Sequence, residues 1–348
     1  MPQGLYVDAP EHTILKEYEE TPLQDGQVRV QVEFAAIKHG TLFHLFSGKS
    51  PFQDRRFDPH LRMFVTAPGP QKPGGLVDRF TGDMVVGRVV ETGRAATRFR
   101  VRDRVYCYGP VCETVTKTEN DIHPLLPPLN ELDAVCLDPA LYAYTVLRDA
   151  RVCLGDNVVL FGLGAIGLFV VQMLKLAGCL NVVAVDPMEK RRRLAGDRGA
   201  DLVLDPTQCD VALQVRKFLG QGADIAIEAS GVYSALHEAM RSVQPCARIA
   251  TLGYYKGEAT GLELAAEWHH NRLELIGSMP VWDNPPREFP IWDLARLQYT
   301  LEAMFAKKWL SSADIVDPVV DFPDAAQAFM DIYHNPSDAI KLGIRFPA

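Results

Sequence analysis

The chain has 348 residues, 47% of them hydrophobic and 23% charged, which is the composition of an ordinary folded protein with room for two domains. Its formal net charge of −8 argues against nucleic acid or an anionic membrane surface as the main partner, since both require basic patches. Seven cysteines at 107, 112, 136, 153, 179, 209 and 246 form neither a disulfide framework nor a closely spaced zinc quartet, so a reducing cytoplasmic location is expected. The start Met1-Pro-Gln-Gly-Leu-Tyr-Val-Asp8 has no basic leader and no apolar core, and no signal peptide is expected from it.

From residue 4 to about 130 the sequence reads as short strands broken by Gly and Pro. Val28-Arg-Val-Gln-Val-Glu-Phe34 alternates, Met84-Val-Val-Gly-Arg-Val-Val-Glu91 is strand-like, and Asp103-Arg-Val-Tyr106 is another candidate. An all-β, barrel-like domain is predicted. Residues 47–81 show no clear periodicity and are expected to be a long ordered loop, in which Arg55, Arg56, His60 and Arg62 offer polar groups to a ligand.

The texture changes near residue 135 to alternating strands and helices. Val158-Val-Leu-Phe-Gly162-Leu-Gly164-Ala-Ile-Gly167, an apolar helical run, and Val182-Val-Ala-Val-Asp186 read in turn as strand, glycine turn, helix, strand and acid. A dinucleotide needs each piece: Gly162 for the turn, Gly164 for close approach of the pyrophosphate, Gly167 for helix-on-strand packing, and the helix N-terminal amides at Ala165 and Ile166 for the negative charge. Asp186 can accept hydrogen bonds from both adenosine ribose hydroxyls and would repel a 2′-phosphate, so NAD is expected rather than NADP. Arg191 is placed to stack on the adenine or flank its ribose, while the rest of Lys190-Arg-Arg-Arg193 reads as a solvated helix face.

Further strand-like runs are predicted at Leu202-Val-Leu204, over Ala223 to Gly231, followed by a helix through Met240, and over Arg248 to Gly253, with Leu273 to Ser278 as the last strand of a doubly wound parallel sheet. A helix near 293–307 and a strand over Ala339 to Phe346 would return to the first domain. The fold class is therefore α/β, with a β-rich domain at 1–134 and 285–348 and a dinucleotide-binding domain at 135–284. Just before the last strand, Glu267-Trp-His-His270-Asn-Arg272 could bind sugar-like hydroxyls or a carboxylate, or be only a solvated connector.

This order of domains resembles the medium-chain dehydrogenase/reductase superfamily, particularly its alcohol and polyol dehydrogenase branch. The resemblance covers almost the whole chain and implies a GroES-like first domain beside a Rossmann domain. Phe99-Arg-Val-Arg-Asp103-Arg-Val105, Gly222-Ala-Asp-Ile-Ala-Ile-Glu-Ala-Ser230-Gly231 and Leu252-Gly253 support it, and it extends the cofactor contacts to Ser230, Leu252 and Gly253. Zinc-dependent members carry Cys-Gly-Ser/Thr-Asp-x-His after the second strand. Here that run is His39-Gly-Thr41-Leu-Phe-His44, with His39 for the ligand Cys and Leu42 for the Asp. The second zinc motif, Gly-His-Glu-x-x-Gly, matches Gly82-Asp83-Met84-Val-Val-Gly87, and the acid before a proline matches Asp138-Pro139.

With the soft Cys absent and Met84 in place of Glu, the usual catalytic zinc is not expected. One mechanism is metal-free: His39 takes the alcohol proton, Lys38 or Thr41 stabilises the alkoxide, and Thr41 and His44 hold the family's proton-relay positions. The alternative is a nitrogen-plus-two-oxygen metal site of His39, Asp83 and Asp138. Structural roles stand beside these: His39 as a hydrogen-bonded barrel residue, His44 facing water or ribose, Asp138 as a helix cap, and Lys38 pointing to the opposite face.

The resemblance implies an NAD-dependent oxidoreductase acting on a secondary alcohol of a polyol, sugar or cyclitol, with His270 and Arg272 as candidate substrate contacts. A homodimer or homotetramer, and no membrane or nucleic-acid partner, is expected. The rivals are a zinc-free quinone or enoyl reductase of the same superfamily, and a catalytically idle NAD-binding sensor.

Overall fold

The structure is a computed structural model that describes residues 1–47, 55–66, 75–279 and 284–347, apart from the side chain of Thr41. It divides into two compact units, Met1–Val135 with Val316–Ala348, and Cys136–Ile315.

The first unit is the β-rich one. Its elements are β1 (Gln3–Ala9), β2 (His12–Glu17), β3 (Gln27–Ala36), α1 (His39–Phe46), β4 (Arg55–Asp58), β5 (Met63–Thr66), β6 (Arg79–Phe80), β7 (Gly82–Thr92), β8 (Arg104–Pro110), β9 (Thr114–Thr118), β10 (His123–Pro124) and α2 (Glu131–Val135). The chain's last stretch adds β17 (Val316–Asp321), α9 (Ala325–His334) and β18 (Lys341–Arg345). One sheet has the order β10-β8-β7-β3-β18-β17, with β9 also on β3, and another the order β2-β1-β6. The antiparallel β3–β7 pairing runs from Val28↔Thr92 to Ala36↔Met84 and buries alternate residues, Val28, Val30, Val32 and Phe34, as the sequence alternation requires. Leu5, Val30, Val32, Val85, Val105, Phe329 and Ile344 share one apolar core, to which α9 contributes its buried face. This is the GroES-like fold.

Residues 47–81 are less irregular than the sequence suggested. β4 and β5 pair as a hairpin, Arg55↔Thr66 through Asp58↔Met63, with His60 and Arg62 in its turn, and β6 pairs with β1. Both hairpin strands are largely exposed, so the alternation that betrays a half-buried strand was never present. Residues 48–54 and 67–74 of that segment lie outside the described part.

The second unit holds α3 (Leu137–Asp149), β11 (Asn157–Phe161), α4 (Ala165–Leu176), β12 (Asn181–Val185), α5 (Glu189–Asp197), β13 (Leu202–Leu204), α6 (Val211–Leu219), β14 (Ala223–Glu228), α7 (Tyr233–Ser242), β15 (Val243–Thr251), β16 (Glu274–Gly277) and α8 (Leu294–Ala306). All pairings in its sheet are parallel, in the order β13-β12-β11-β14-β15-β16. That is the doubly wound Rossmann arrangement, with the strand order reversing between β11 and β14. The central strands read as continuous apolar runs because helices cover both faces.

The return to the first unit comes later than the expected residue 285. Residues 285–315 stay with the Rossmann unit because α8 packs there: Phe305 meets Phe169 of α4 edge-on at 5.6 Å, and Gln172 on α4 bonds both the N–H and the carbonyl of Ser311. Among the described residues no helix is long and apolar enough to cross a membrane.

Candidate functional site

Three loops leave the carboxyl ends of β11, β14 and β15, where a parallel sheet of this order offers its ligand crevice. Gly162 follows β11 with φ +91°, and a Cβ there would stand 2.7 Å from the Ser230 nitrogen in the loop after β14. Gly167 lies in the first turn of α4, where a Cβ would fall 2.0 Å from the Gly162 carbonyl oxygen. The two glycines thus hold helix, turn and neighbouring loop in contact. Gly164, the N-cap of α4, differs: its φ is −68° and a Cβ would meet no protein atom within 4 Å. Protein sterics do not require glycine there, so the open space in front of it is what the residue preserves. Ala165 and Ile166 begin α4 and leave their N–H groups at the positive end of the helix.

Asp186 follows β12 and is buried. Its Oδ2 accepts the Leu163 N–H at 2.8 Å and its Oδ1 the Met188 N–H at 2.8 Å. Arg191 on α5 reaches to 3.9 Å from Asp186 Oδ2, and burial pushes its guanidinium downward against the opposing pull of Asp186. Arg192 is not simply solvated, as the sequence suggested for that run. It donates to the Asp186 carbonyl at 2.8 Å and pairs with Asp205 at 3.1 Å, bracing the same loop.

Sequence reasoning did not single out Glu228, the last residue of β14. It is fully buried and gathers the loop amides. The N–H groups of Ser230 at 2.8 Å and Gly231 at 3.1 Å, and the hydroxyls of Ser230 and Tyr255, all donate to its carboxylate. Its own carbonyl accepts the N–H groups of Leu252 and Gly253. Ser230, Leu252 and Gly253 are therefore brought together by one carboxylic residue. An acid closing the apolar run Ile225-Ala-Ile227 was the available signal.

In the first unit His39 and Asp83 lie where β3 ends and β7 and β18 begin. His39 opens α1, with Lys38 as its N-cap residue, and His44 lies in its last turn. Thr41 is in the same helix, with its side chain outside the described part. The His39 ring stacks on Phe43 at 5.1 Å, and its Nε2 accepts the Leu342 N–H at 3.3 Å. In the neutral ring this contact puts the proton on Nδ1, so His39 presents a donor rather than the acceptor expected of the leading base. Asp83 is buried on β7, and its Oδ2 lies 2.7 Å from Lys341 Nζ on β18.

Asp138 sits in the second unit as the second residue of α3, buried; the N-cap position belongs to Cys136, so Asp138 is not the helix cap. His270 and Arg272 are exposed on the connection into β16, Arg272 with φ +53°.

Residues 165–290 match the family model of the zinc-binding dehydrogenases. Over 348 residues the chain is 35% identical to the D-guloside 3-dehydrogenase of Escherichia coli (strain K12), covering 98% of this chain and 99% of that protein. Two solved structures cover 99% of this chain and 99% of their own at 19% identity. One is an alcohol dehydrogenase from E. coli CFT073 in complex with NADH, TM-score 0.77, and the other a dehydrogenase from Sinorhizobium meliloti 1021 bound to NADP, TM-score 0.75. At that identity the likeness is one of fold. With the near full-length relative beside it, the chain belongs to the zinc-binding dehydrogenases of the medium-chain dehydrogenase/reductase superfamily, and it is an oxidoreductase.

Proposed function

We propose that this protein is an NAD-dependent dehydrogenase that oxidises a secondary alcohol of a polyol, sugar or cyclitol to a ketone, or runs the reverse. The carrying observation is the Asp186 carboxylate beside the Gly162–Gly167 turn: an acid there accepts ribose hydroxyls and repels a 2′-phosphate. Since one solved relative of this fold carries NADH and another NADP, the fold alone does not choose the cofactor, and the Asp186 carboxylate is what supports NAD. The 35% identical relative named for a glycoside substrate supports the polyhydroxylated substrate class.

Bound NAD would take a hydride at nicotinamide C4. The chain's residues would bind it, through Gly162, Gly164, Ala165, Ile166, Gly167, Asp186, Arg191, Ser230, Leu252 and Gly253, and hold the substrate against it, so that proximity supplies much of the rate. His39, through Nδ1–H, and Lys38 would stabilise the reacting oxygen, with Thr41 and His44 at the relay positions leading the proton to solvent. His270 and Arg272 remain candidate substrate contacts.

A catalytic zinc does not fit the first unit's donors. The Nε2 lone pair of His39 is taken by a backbone N–H, Asp83 is bonded to an ammonium, and Met84 offers no oxygen. The reaction is therefore read as metal-free.

The exposed edge strand β16, with Leu275 44% exposed, supports a homodimer or homotetramer, which size-exclusion chromatography with light scattering tests. Seven free thiols support a cytoplasmic location.

The functional test is a turnover panel of polyols, glycosides and simple alcohols with NAD and NADP, followed by absorbance of the reduced nicotinamide. Turnover of a polyhydroxylated substrate with at least a ~10-fold preference for NAD is expected, about 1.4 kcal/mol of discrimination. Turnover of apolar alcohols alone overturns the substrate class. An NADPH preference with enone reduction favours the quinone or enoyl reductase, and binding without turnover favours the sensor.

A further inference from the structure

Lys341 opens β18 with its side chain 4% exposed, and Asp83, its partner at 2.7 Å, is equally buried. The same Nζ stands 3.5 Å from the carbonyl oxygen of Ile37, two residues before His39. Ile37 and Leu342 bond through the Ile37 N–H and the Leu342 carbonyl at 3.0 Å, and Leu342 then donates to His39. Asp83 precedes Met84, which pairs with Ala36 at the end of β3. Imidazole, carboxylate and ammonium are thus held by three adjacent strand ends.

A buried ammonium is costly unless paired and hydrogen-bonded, and an apolar residue would fill a strand interior more cheaply. Its presence beside the Asp at a metal-motif position calls for a reason.

We propose that Lys341 is the resident cation of this cluster. Its ammonium satisfies Asp83 in place of a divalent ion, repels any such ion from the Asp83 oxygen, and ties β7 to the Ile37 carbonyl from which the His39 segment departs. Lys341 is a positioning residue, acting through Asp83 and the β3 end. Two effects converge. A divalent ion on Asp83 would lie a few ångströms from a fixed positive charge in a site shielded from water. It would also have to displace the Leu342 N–H from His39 to gain a nitrogen ligand. The inference rests on the proposed function only in taking His39 and Asp83 as part of the reaction site; metal exclusion is read independently of turnover.

The test is metal binding by the full-length protein, purified without a histidine tag. Wild type and Lys341→Gln are each equilibrated with Zn2+ or Co2+, desalted and analysed for metal per subunit, with visible absorption reporting Co2+ coordination. Wild type is expected to retain no stoichiometric metal and to show no cobalt bands. Lys341→Gln, with Asp83 released, is expected to bind Co2+ ~10-fold or more tightly than wild type. One equivalent of metal in wild type, or unchanged cobalt affinity in folded Lys341→Gln, overturns the proposal. If Lys341→Gln does not fold by circular dichroism, wild-type metal content decides alone: an equivalent overturns the proposal and none sustains it. A protein that excludes metal but turns over no polyol would fail the proposed function and leave this inference standing.

Discussion

The Asp186 carboxylate accepts the N–H of Leu163 at 2.8 Å, so the acid that ends β12 also fixes the glycine turn that follows β11. Its second oxygen is held by Met188 at 2.8 Å, and each oxygen keeps a further lone pair for a hydroxyl. Recognition of the ribose and shape of the pyrophosphate turn therefore depend on one side chain. Asp186→Asn keeps the volume but offers one acceptor oxygen and an amide that cannot accept. NAD affinity is expected to fall ~10- to 100-fold, from a lost charge-assisted bond. The preference over NADP should narrow at the same time. Calorimetric titration of both cofactors measures this, and unchanged selectivity would count against Asp186 as the discriminator.

Gly164 and Gly167 make opposite demands. Gly167→Ala drives a Cβ to 2.0 Å from the Gly162 carbonyl oxygen, a backbone clash expected to cost about 2–3 kcal/mol of stability. Gly164→Ala meets only open space, so its stability should stay within about 0.5 kcal/mol of wild type. Its NAD affinity should nonetheless drop at least ~10-fold if the pyrophosphate occupies that space, about 1.4 kcal/mol. Denaturant unfolding beside cofactor titration separates the two. Gly164→Ala with full affinity would remove the pyrophosphate from this turn.

These glycines were legible in the sequence because backbone sterics at a turn depend on residue identity within a few positions. The parallel sheet was legible for a related reason: buried strands of this kind are apolar runs bounded by helices. The allegiance of α8 was not. Its amphipathic period predicts a helix, but only the meeting of Phe305 with Phe169, far apart in sequence, decides which unit it joins. Lys341 escaped notice likewise. In Ala339-Ile-Lys-Leu-Gly-Ile344 it reads as a solvent-facing strand position, and its partner Asp83 lies 258 residues away. His39 was found by motif, but the tautomer that its Leu342 contact selects is a tertiary fact.

Breaking the buried pair from one side should be worse than removing it whole. Asp83→Asn leaves the Lys341 ammonium buried without its counter-ion, expected to cost about 3–5 kcal/mol. The double variant Asp83→Asn/Lys341→Met should recover most of that loss, because neither charge remains to be desolvated. A thermodynamic cycle from denaturant melts gives the coupling. Additive single effects would mean that the two groups do not act as a pair.

Thiol reactivity follows burial. Cys153 and Cys246 are exposed, whereas burial raises the Cys107 and Cys179 thiols to about 11 and Cys112 to about 12. Only thiolate reacts, so an aromatic disulfide reagent at mildly alkaline pH should modify Cys153 and Cys246 quickly and Cys209 more slowly. The remaining four of the seven should respond only on unfolding. Peptide mapping by mass spectrometry identifies the sites, and early labelling of Cys107 or Cys112 would contradict the packing of the first unit.

Glu228 gives a pH dependence with a definite sign. Burial raises its carboxyl above the ordinary 4.5, and the donors Ser230, Tyr255 and Gly231 only partly offset that. Between the unfolded value and the higher folded one, the native state binds more protons than the unfolded chain, so this residue's contribution to stability falls as pH rises through that window. Glu228→Gln carries no titrating proton and keeps a carbonyl acceptor for part of the Ser230 and Gly231 amides. Its denaturation midpoint should therefore lack the downward contribution that Glu228 is expected to make in wild type above pH 4.5, while the β14 loop it organises loosens and cofactor affinity drops. Parallel pH profiles of the two proteins, each referenced to its own value at pH 4.5, isolate the term. Identical profiles would mean that Glu228 does not titrate in that range, and that the loop is held by a permanently ionised carboxylate with its four donors.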